Sequence, residues 1–136
     1  MLEFAVGSAV LVAAFAGTFQ FGYTFYRYNA LQAAVNDGAR YASMLTYNSS
    51  TSTPSSAFQT AVQNMVVYGD PGGGTSSITP GLATSNVNLT VAFTNGVPSS
   101  VMVSISGYTL DAGVAQTTFN NKPTVTYPYV GIYSPY

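Results

Sequence analysis

Residues 4–26 form an uncharged and mostly apolar run of 23 residues, the feature that most constrains this chain. A helix of that length spans ~35 Å, which exceeds the ~30 Å hydrocarbon core of a bilayer. Only Glu3 precedes the run with a charge, and Arg27 closes it. A signal peptide would have a basic start and a shorter apolar stretch. We therefore expect the segment to be retained, with lipid or other apolar helices around it.

The helical pattern continues beyond Arg27, because apolar residues recur at steps of three and four up to residue 46. No proline interrupts residues 1–53. The sequence therefore predicts one helix over about residues 2–46, hydrophobic all round in its first half and amphipathic in its second. Gly17, Gly22 and Gly38 are expected to be points where this helix can bend.

Small residues recur every four positions in the apolar half, at Ala9, Ala13 and Gly17. Such a ridge lets the backbones of two helices approach closely. One interpretation is a single-pass anchor in which the small residues occur by chance. The other is a helix that packs against copies of itself.

Glu3 stands at the edge of the apolar run, where a carboxylate is costly unless it is paired or hydrated. It can lie at headgroup level in contact with water, or form a salt bridge to the α-amino group of a neighbouring subunit. In either case a carboxylate near the start of a helix complements the helix dipole.

Aromatic residues surround Arg27, notably Tyr23, Tyr26 and Tyr28. Aromatic rings with a cation are typical of a membrane–water interface. They would serve equally at the boundary between the core of a filament and its outer shell, or as ordinary helix-packing residues.

The rest of the chain is expected to be a globular head, residues 54–136, joined to the N-terminal helix (residues 1–46) by a Ser/Thr-rich linker, residues 47–53. An apolar stripe predicts a helix over about residues 54–68, capped by Thr53 or Ser52 and ended by Gly69.

Alternating apolar residues predict strands over residues 87–93 and 101–105, joined through the turn signal Asn95-Gly96. A last strand is expected from Thr124, ended or held at the sheet edge by Pro128. Residues 109–121 are expected to be a loose crossover. The predicted fold class is α+β, with an antiparallel sheet of three or four strands covered on one face by helix.

Composition limits the function, because charged residues are only 5 % of the chain and His and Cys are absent. The usual zinc, haem and thiol sites and His-based triads lack their main groups. A net charge of −1 argues against nucleic acid as a partner. The ionisable groups Asp70, Asp111 and Lys122 lie far apart in the head sequence. We expect no catalytic residues, no metal site, no cofactor and no enzymatic activity.

Two Asn residues, Asn48 and Asn88, fit the short glycosylation acceptor pattern. Modification there would help to solvate so uncharged a surface. The chain also has 11 tyrosines. Those near the C-terminus either pack locally or form a surface for contact between subunits.

The N-terminal motifs resemble a known family. The residues that carry the resemblance are Glu3-Phe4-Ala5, Phe21-Gly22, Asn29, Leu31, Gln32 and the run Asp37-Gly38-Ala39-Arg40-Tyr41-Ala42. Residues 1–45 resemble the N-terminal signature of TadE-like pilins, in the tight-adherence branch of the type IV pilin superfamily. The remainder agrees only in having a second helix followed by strands.

The resemblance implies a structural subunit that polymerises through its N-terminal helix into a filament on the bacterial surface, after waiting in the inner membrane. It implies a prepilin peptidase and a pilus assembly platform as partners. It also implies that Glu3 neutralises the terminal amine of a neighbour, here at Met1, although Glu3 lies closer to Met1 than is usual in such pilins. Most TadE-like proteins are regarded as minor pilins, so a minor pilin or a membrane-anchored accessory protein is the alternative to a major subunit.

Overall fold

The computed structural model describes residues 2–135 as two helices and five strands with a short 3-10 turn. The elements follow one another as α1 (Leu2–Met44), α2 (Ser56–Tyr68), the 3-10 turn (Thr84–Asn86), β1 (Val87–Thr94), β2 (Val97–Ile105), β3 (Tyr108–Asp111), β4 (Gln116–Phe119) and β5 (Thr124–Pro128). The predicted α+β class, with a long N-terminal helix and one short helix, is confirmed.

Helix α1 is continuous through Gly17 and Gly22 and ends at Met44, two residues before the predicted end. Its second half buries a stripe at steps of three and four. The stripe consists of Leu31, Ala34, Val35, Ala39 and Ala42. The predicted change from an all-round apolar helix to an amphipathic one is therefore confirmed, and the buried side faces the head.

Gly38 lies in this stripe at the closest approach of α1 and α2. A Cβ atom built on Gly38 would overlap the side chain of Val66. Gly38 is thus a packing position within a continuous helix, and its role as a point of bending stays a prediction.

Helix α2 begins after Ser55, whose Oγ accepts a hydrogen bond from the Phe58 N–H at 3.3 Å. The predicted cap at Thr53 or Ser52 was wrong by two or three residues. The residues before the helix bond to one another instead, since the Ser49 hydroxyl donates to the Thr53 carbonyl at 2.7 Å. The predicted end at Gly69 is confirmed, with a left-handed φ of 75°.

Strands β1, β2 and β5 form an antiparallel sheet with β2 in the centre. The predicted turn joins β1 to β2, and Asn95 and Gly96 both have positive φ, 54° and 80°. β5 is an edge strand that ends at Pro128, as the sequence predicts. Helix α1 packs across β2 and β5, and the Tyr127 hydroxyl of β5 donates to Asn36 Oδ1 at 2.9 Å.

Residues 108–119 form a second, two-stranded sheet, so the predicted loose crossover was wrong over most of its length. In this β3–β4 hairpin the inward side chains Tyr108 and Leu110 are buried, while the Thr109 and Thr118 hydroxyls are hydrogen-bonded at 2.9 Å on the outer side. Each strand has only four residues, which is too short for a clear alternating pattern.

An aromatic cluster joins the end of α1 to the C-terminal segment. Tyr47, the first residue of the predicted linker, is fully buried at its centre. The ring centroids of Phe58, Phe93, Tyr129 and Tyr133 lie within 5.2, 5.6, 6.2 and 6.3 Å of the Tyr47 ring. The Tyr47 N–H donates to the Ile132 carbonyl at 2.8 Å, and the Ser134 N–H donates to the Tyr47 carbonyl at 2.9 Å. Two of the C-terminal tyrosines, Tyr129 and Tyr133, thus pack within the chain.

Candidate assembly surface on the N-terminal helix

The first half of α1 projects its apolar side chains away from the head. Phe4, Phe15 and Phe21 are 80 %, 69 % and 75 % exposed. The helix is long and apolar enough to cross a membrane by length and composition, and the most apolar part of it is not covered by the rest of the described chain. Burial of one such side chain is worth ~1.5–3 kcal/mol, so this surface requires an apolar environment.

The predicted ridge of Ala9, Ala13 and Gly17 lies on this exposed half. A Cβ atom built on Gly17 or Gly22 would meet nothing within 4 Å. The backbone at Gly17 is therefore open to close approach by another helix, although the packing role of the three residues stays a prediction. The same is true of flexibility at Gly17 and Gly22.

Two hydroxyl groups in the apolar half form hydrogen bonds to backbone carbonyls of the same helix. The Ser8 hydroxyl donates to the Ala5 carbonyl, and the Thr18 hydroxyl donates to the Ala14 carbonyl, each at 2.9 Å. Such bonds within a helix lower the cost of placing a hydroxyl in lipid or in a helix bundle. The two hydroxyls are thus compatible with either environment.

Glu3 lies in the first turn of α1, with an exposed side chain. Met1, its predicted partner in a neighbouring subunit, lies outside the described residues. The assembly role of the two residues stays a prediction.

The predicted interface aromatics separate into two groups. Tyr23 and Tyr28 face the head: Tyr23 is packed against the core, and the Tyr28 ring lies 5.6 Å from that of Phe119 in β4. Tyr26 is exposed at 66 %. The Arg27 guanidinium lies 5.1 Å from the Tyr23 ring centroid and 5.9 Å from that of Tyr26, so a cation is held between aromatic rings at this level of the helix.

A pair of hydrogen bonds fastens the tip of the β3–β4 hairpin to α1. Gln20 Nε2 donates to the Ala115 carbonyl at 2.8 Å, and the Ala115 N–H donates to Gln20 Oε1 at 3.1 Å. We call this pair the Gln20 clasp. Gln20 stands out in the sequence as a polar residue in an apolar run, but its partner lies 95 residues further along the chain. Only the fold brings them together.

The two predicted glycosylation residues are both exposed. Asn48 Oδ1 accepts a hydrogen bond from the Ser55 hydroxyl at 2.6 Å, and Asn88 lies on β1. Their accessibility is compatible with modification, which stays a prediction.

Most of the shifted pKa values in the head belong to tyrosines. Burial raises the pKa values of the Tyr47, Tyr108 and Tyr129 phenols above the usual value for tyrosine. The Gly113 N–H and Gln116 donate to Asp111 and lower the pKa of its carboxyl. The tyrosines are thus held neutral and the aspartate is held ionised, each in a structural role.

Comparison with known proteins finds a family match for the N-terminal segment. Residues 1–40 match the model of a family described as TadE-like protein, which confirms the predicted resemblance of this segment. No curated protein and no solved structure matches the chain. The match covers the exposed half of α1 and all of its buried stripe except Ala42, and it ends before the head.

Proposed function

We propose, from the TadE-like N-terminal segment, that this chain is a structural subunit of an extracellular Tad-like type IV pilus filament. The observation that carries the proposal is the exposed apolar half of α1, which the head of the same chain does not cover. A second copy can supply the apolar cover that this surface requires, and repetition of that contact produces a helical polymer.

Before assembly the apolar half lies in the inner membrane, and its full uncharged run, residues 4–26, is long enough to span the hydrocarbon core when the Gln20 clasp is open. Transfer from lipid to a bundle of equally apolar helices changes the apolar environment little. Close packing along Ala9, Ala13 and Gly17 then favours the bundle. The assembly platform implied by the resemblance is the partner of this step, and the implied prepilin peptidase, which cuts the leader, acts before it.

The head faces water and attaches the filament to surfaces. Its few charges make specific electrostatic recognition of nucleic acid unfavourable, so contact through tyrosines and hydroxyl groups is the more suitable mode. We propose a structural role rather than a catalytic one, with no cofactor and no metal.

A minor pilin or a membrane-anchored accessory protein of the same machinery is the second candidate. The family match favours it equally, because that match concerns only the helix that all these proteins share. The amount of the chain in the filament separates the two candidates.

Electron microscopy of sheared cell-surface material, with mass spectrometry on the same fraction, tests the proposal. A major subunit is expected to dominate thin filaments in that fraction. Recovery of the chain in trace amounts would indicate a minor pilin. Its absence from sheared material and retention in membranes would contradict a filament subunit and favour the accessory protein.

A further inference from the structure

The three-stranded sheet has one face on the helices and one face directed away from them. Along β1 and β5, exposed residues alternate with buried or half-buried ones, and the inward Tyr127 of β5 contacts α1. The strand register aligns the outward residues of β1, β2 and β5 in rows across the sheet. The rows are Asn88–Ser104–Thr124, Thr90–Met102–Thr126 and Ala92–Ser100–Pro128. We call these residues the outer sheet face.

The outer sheet face has an unusual chemistry for so large a surface. None of its residues is charged or aromatic, and most of them end in a hydroxyl or amide group. Met102, at 37 % exposure, is the large apolar side chain near its centre. The face thus offers hydrogen bonds on a flat, neutral surface with a small apolar patch.

Most of the polar groups on this face have no partner in the chain. The Thr124 hydroxyl donates to a nearby backbone carbonyl. Within the described residues, the following side chains of the face form no hydrogen bond: Asn88, Thr90, Ser100, Ser104 and Thr126. Ser104 is in addition only 7 % exposed, on the central strand of the sheet. Since an enclosed polar group without a partner costs free energy, these groups favour a ligand that supplies hydrogen bonds.

The same properties exclude several classes of partner. Nucleic acid and anionic lipid are attracted by clusters of Lys and Arg, which this face lacks. Protein interfaces obtain most of their binding energy from Trp, Tyr and Arg, which it lacks as well. A neutral polysaccharide requires none of these, because sugar hydroxyls both donate and accept hydrogen bonds, as Ser and Thr do.

We propose that the outer sheet face binds an uncharged polysaccharide, whose hydroxyl groups bond to the unpartnered side chains and whose ring C–H groups pack on Met102. The outward side chains lie ~7 Å apart along a strand and ~4.8 Å apart between strands, so one extended sugar chain can meet several of them.

The inference rests on the proposed function and names the face of the head and the class of surface to which it attaches. Helix α1 packs on the opposite side of β2 and β5, so with α1 in a filament core this face is directed outwards. Binding by one head is weak, because each hydrogen bond replaces one to water. Repetition along a filament converts weak contacts into firm attachment.

Retardation of the full chain on polysaccharide columns tests the inference, since it detects weak binding. The chain is purified in a zwitterionic detergent without a sugar headgroup and passed over cellulose, chitin and starch, with carboxymethyl cellulose as the anionic comparison. We expect wild type to be retarded on at least one neutral column and less on the anionic one.

Removal of hydroxyl groups from the face should abolish most of this retardation. Thr90→Val/Thr126→Val keeps the branched shape that strands favour and is expected to reduce the retardation by about fivefold or more. Asn88→Asp, a single change at an exposed position, is expected to reduce it by about threefold, because it removes the amide donors and adds a charge. Thr46→Val is the matched control, an exposed hydroxyl outside the sheet, with retardation close to wild type. Circular dichroism establishes that each variant is folded.

Three results would overturn the inference. They are passage of wild type through all three neutral columns without retardation, stronger retardation on carboxymethyl cellulose, and folded face variants that behave as wild type. Intact-mass and peptide analysis of the chain from cells adds a further check. A glycan on Asn88 would cover the face, so we expect Asn88 to be unmodified, and a glycan found there would also overturn the inference.

Failure of the filament proposal has a different appearance, because the columns use the solubilised chain. If wild-type cells form filaments of this chain and the chain is not retarded, the binding face alone falls. If the chain is retarded and occurs only in membranes, the filament proposal falls, and the face belongs to a membrane-anchored protein.

Discussion

The lack of a side chain at Gly38 determines how closely α1 approaches α2. Gly38 has no side chain, and Val66 fills the space that a Cβ atom would take. Glycine has low helix propensity wherever it stands, so all three glycines, Gly17, Gly22 and Gly38, can be interpreted from the sequence as flexible points. Contact with the head is what separates Gly38 from the other two, and that contact cannot be read from the local sequence.

Substitution of Gly38→Ala is expected to destabilise the head by about 1–3 kcal/mol, because the added methyl group overlaps Val66. The measurement is urea unfolding of the chain in detergent, followed by near-ultraviolet circular dichroism of the tyrosines. Gly22→Ala is the control: its Cβ meets nothing within 4 Å, and better helix propensity should leave stability unchanged or raised by up to ~1 kcal/mol. Equal stability of Gly38→Ala and wild type would contradict the close approach.

A larger side chain at Gly17 should affect assembly instead of folding. Gly17→Leu is expected to reduce filament yield by about tenfold or more while leaving membrane insertion and head stability intact, because the larger side chain separates helices that pack on the small-residue ridge. Yield is measured by electron microscopy and by quantifying sheared material. Phe15→Leu, an exposed position on the opposite side of the same apolar half from the ridge, is the matched control. Unchanged yield and diameter for Gly17→Leu would rule out the ridge.

Among the elements, the β3–β4 hairpin is the largest difference between the predicted fold and the observed one. Residue periodicity and turn signals predict the other elements, α1, α2, β1, β2 and β5. Each of these is either long enough to show its buried side as a repeating pattern or bounded by clear turn residues. The hairpin has two strands of four residues, and it is held by Tyr108 against the core and by the Gln20 clasp on α1. Both depend on residues distant in sequence, which explains why the hairpin was not predicted.

Removal of the clasp should loosen this element alone. Gln20→Ala is expected to accelerate amide exchange in residues 108–119 by about tenfold, since the Ala115 N–H and carbonyl lose the side-chain partners they have in α1. Exchange in β1 and β2 should be unchanged. Hydrogen–deuterium exchange with mass spectrometry makes the measurement, and Gln32→Ala provides the control at an exposed position of the same helix. Equal exchange of the hairpin in both variants would contradict the clasp.

For the whole molecule, the aromatic cluster ties the chain's middle to its C-terminal end. The family match covers residues 1–40, whereas Tyr47 and its aromatic neighbours lie beyond it. Composition predicts that tyrosines matter, but it cannot say which of them meet. Tyr47 lies in a polar segment that is typical of a linker, and it is enclosed by Phe58, Phe93 and the C-terminal segment, which the fold brings together from distant parts of the sequence.

Stability of the head should fall at alkaline pH. Burial raises the pKa of Tyr47, Tyr108 and Tyr129 in the folded chain above the value of ~10 in the unfolded chain. Their contribution is complete below pH ~10 and is lost as pH rises through the folded pKa values, because the unfolded chain then releases protons more readily.

Urea unfolding at about pH 8 and pH 11 checks this expectation, with tyrosinate absorbance recorded in parallel. Tyr26→Phe, a change at an exposed tyrosine, should leave the alkaline loss as it is in wild type, whereas Tyr129→Phe should reduce it. The same free energy of unfolding at both pH values would contradict the burial of these phenols.

The Gln20 clasp also sets how deep the subunit can sit in a membrane. With the hairpin fastened at residue 20, only residues 3–19 extend free of the head, a length of ~25 Å. The hydrocarbon core is ~30 Å thick, so a clasped subunit is a few Å too short for the bilayer and must thin it locally. Each Å of such mismatch costs a fraction of a kcal/mol. For the proposed filament subunit, this mismatch would favour departure of the helix from the lipid, so the hairpin would act on the balance between membrane and filament without contributing apolar surface of its own.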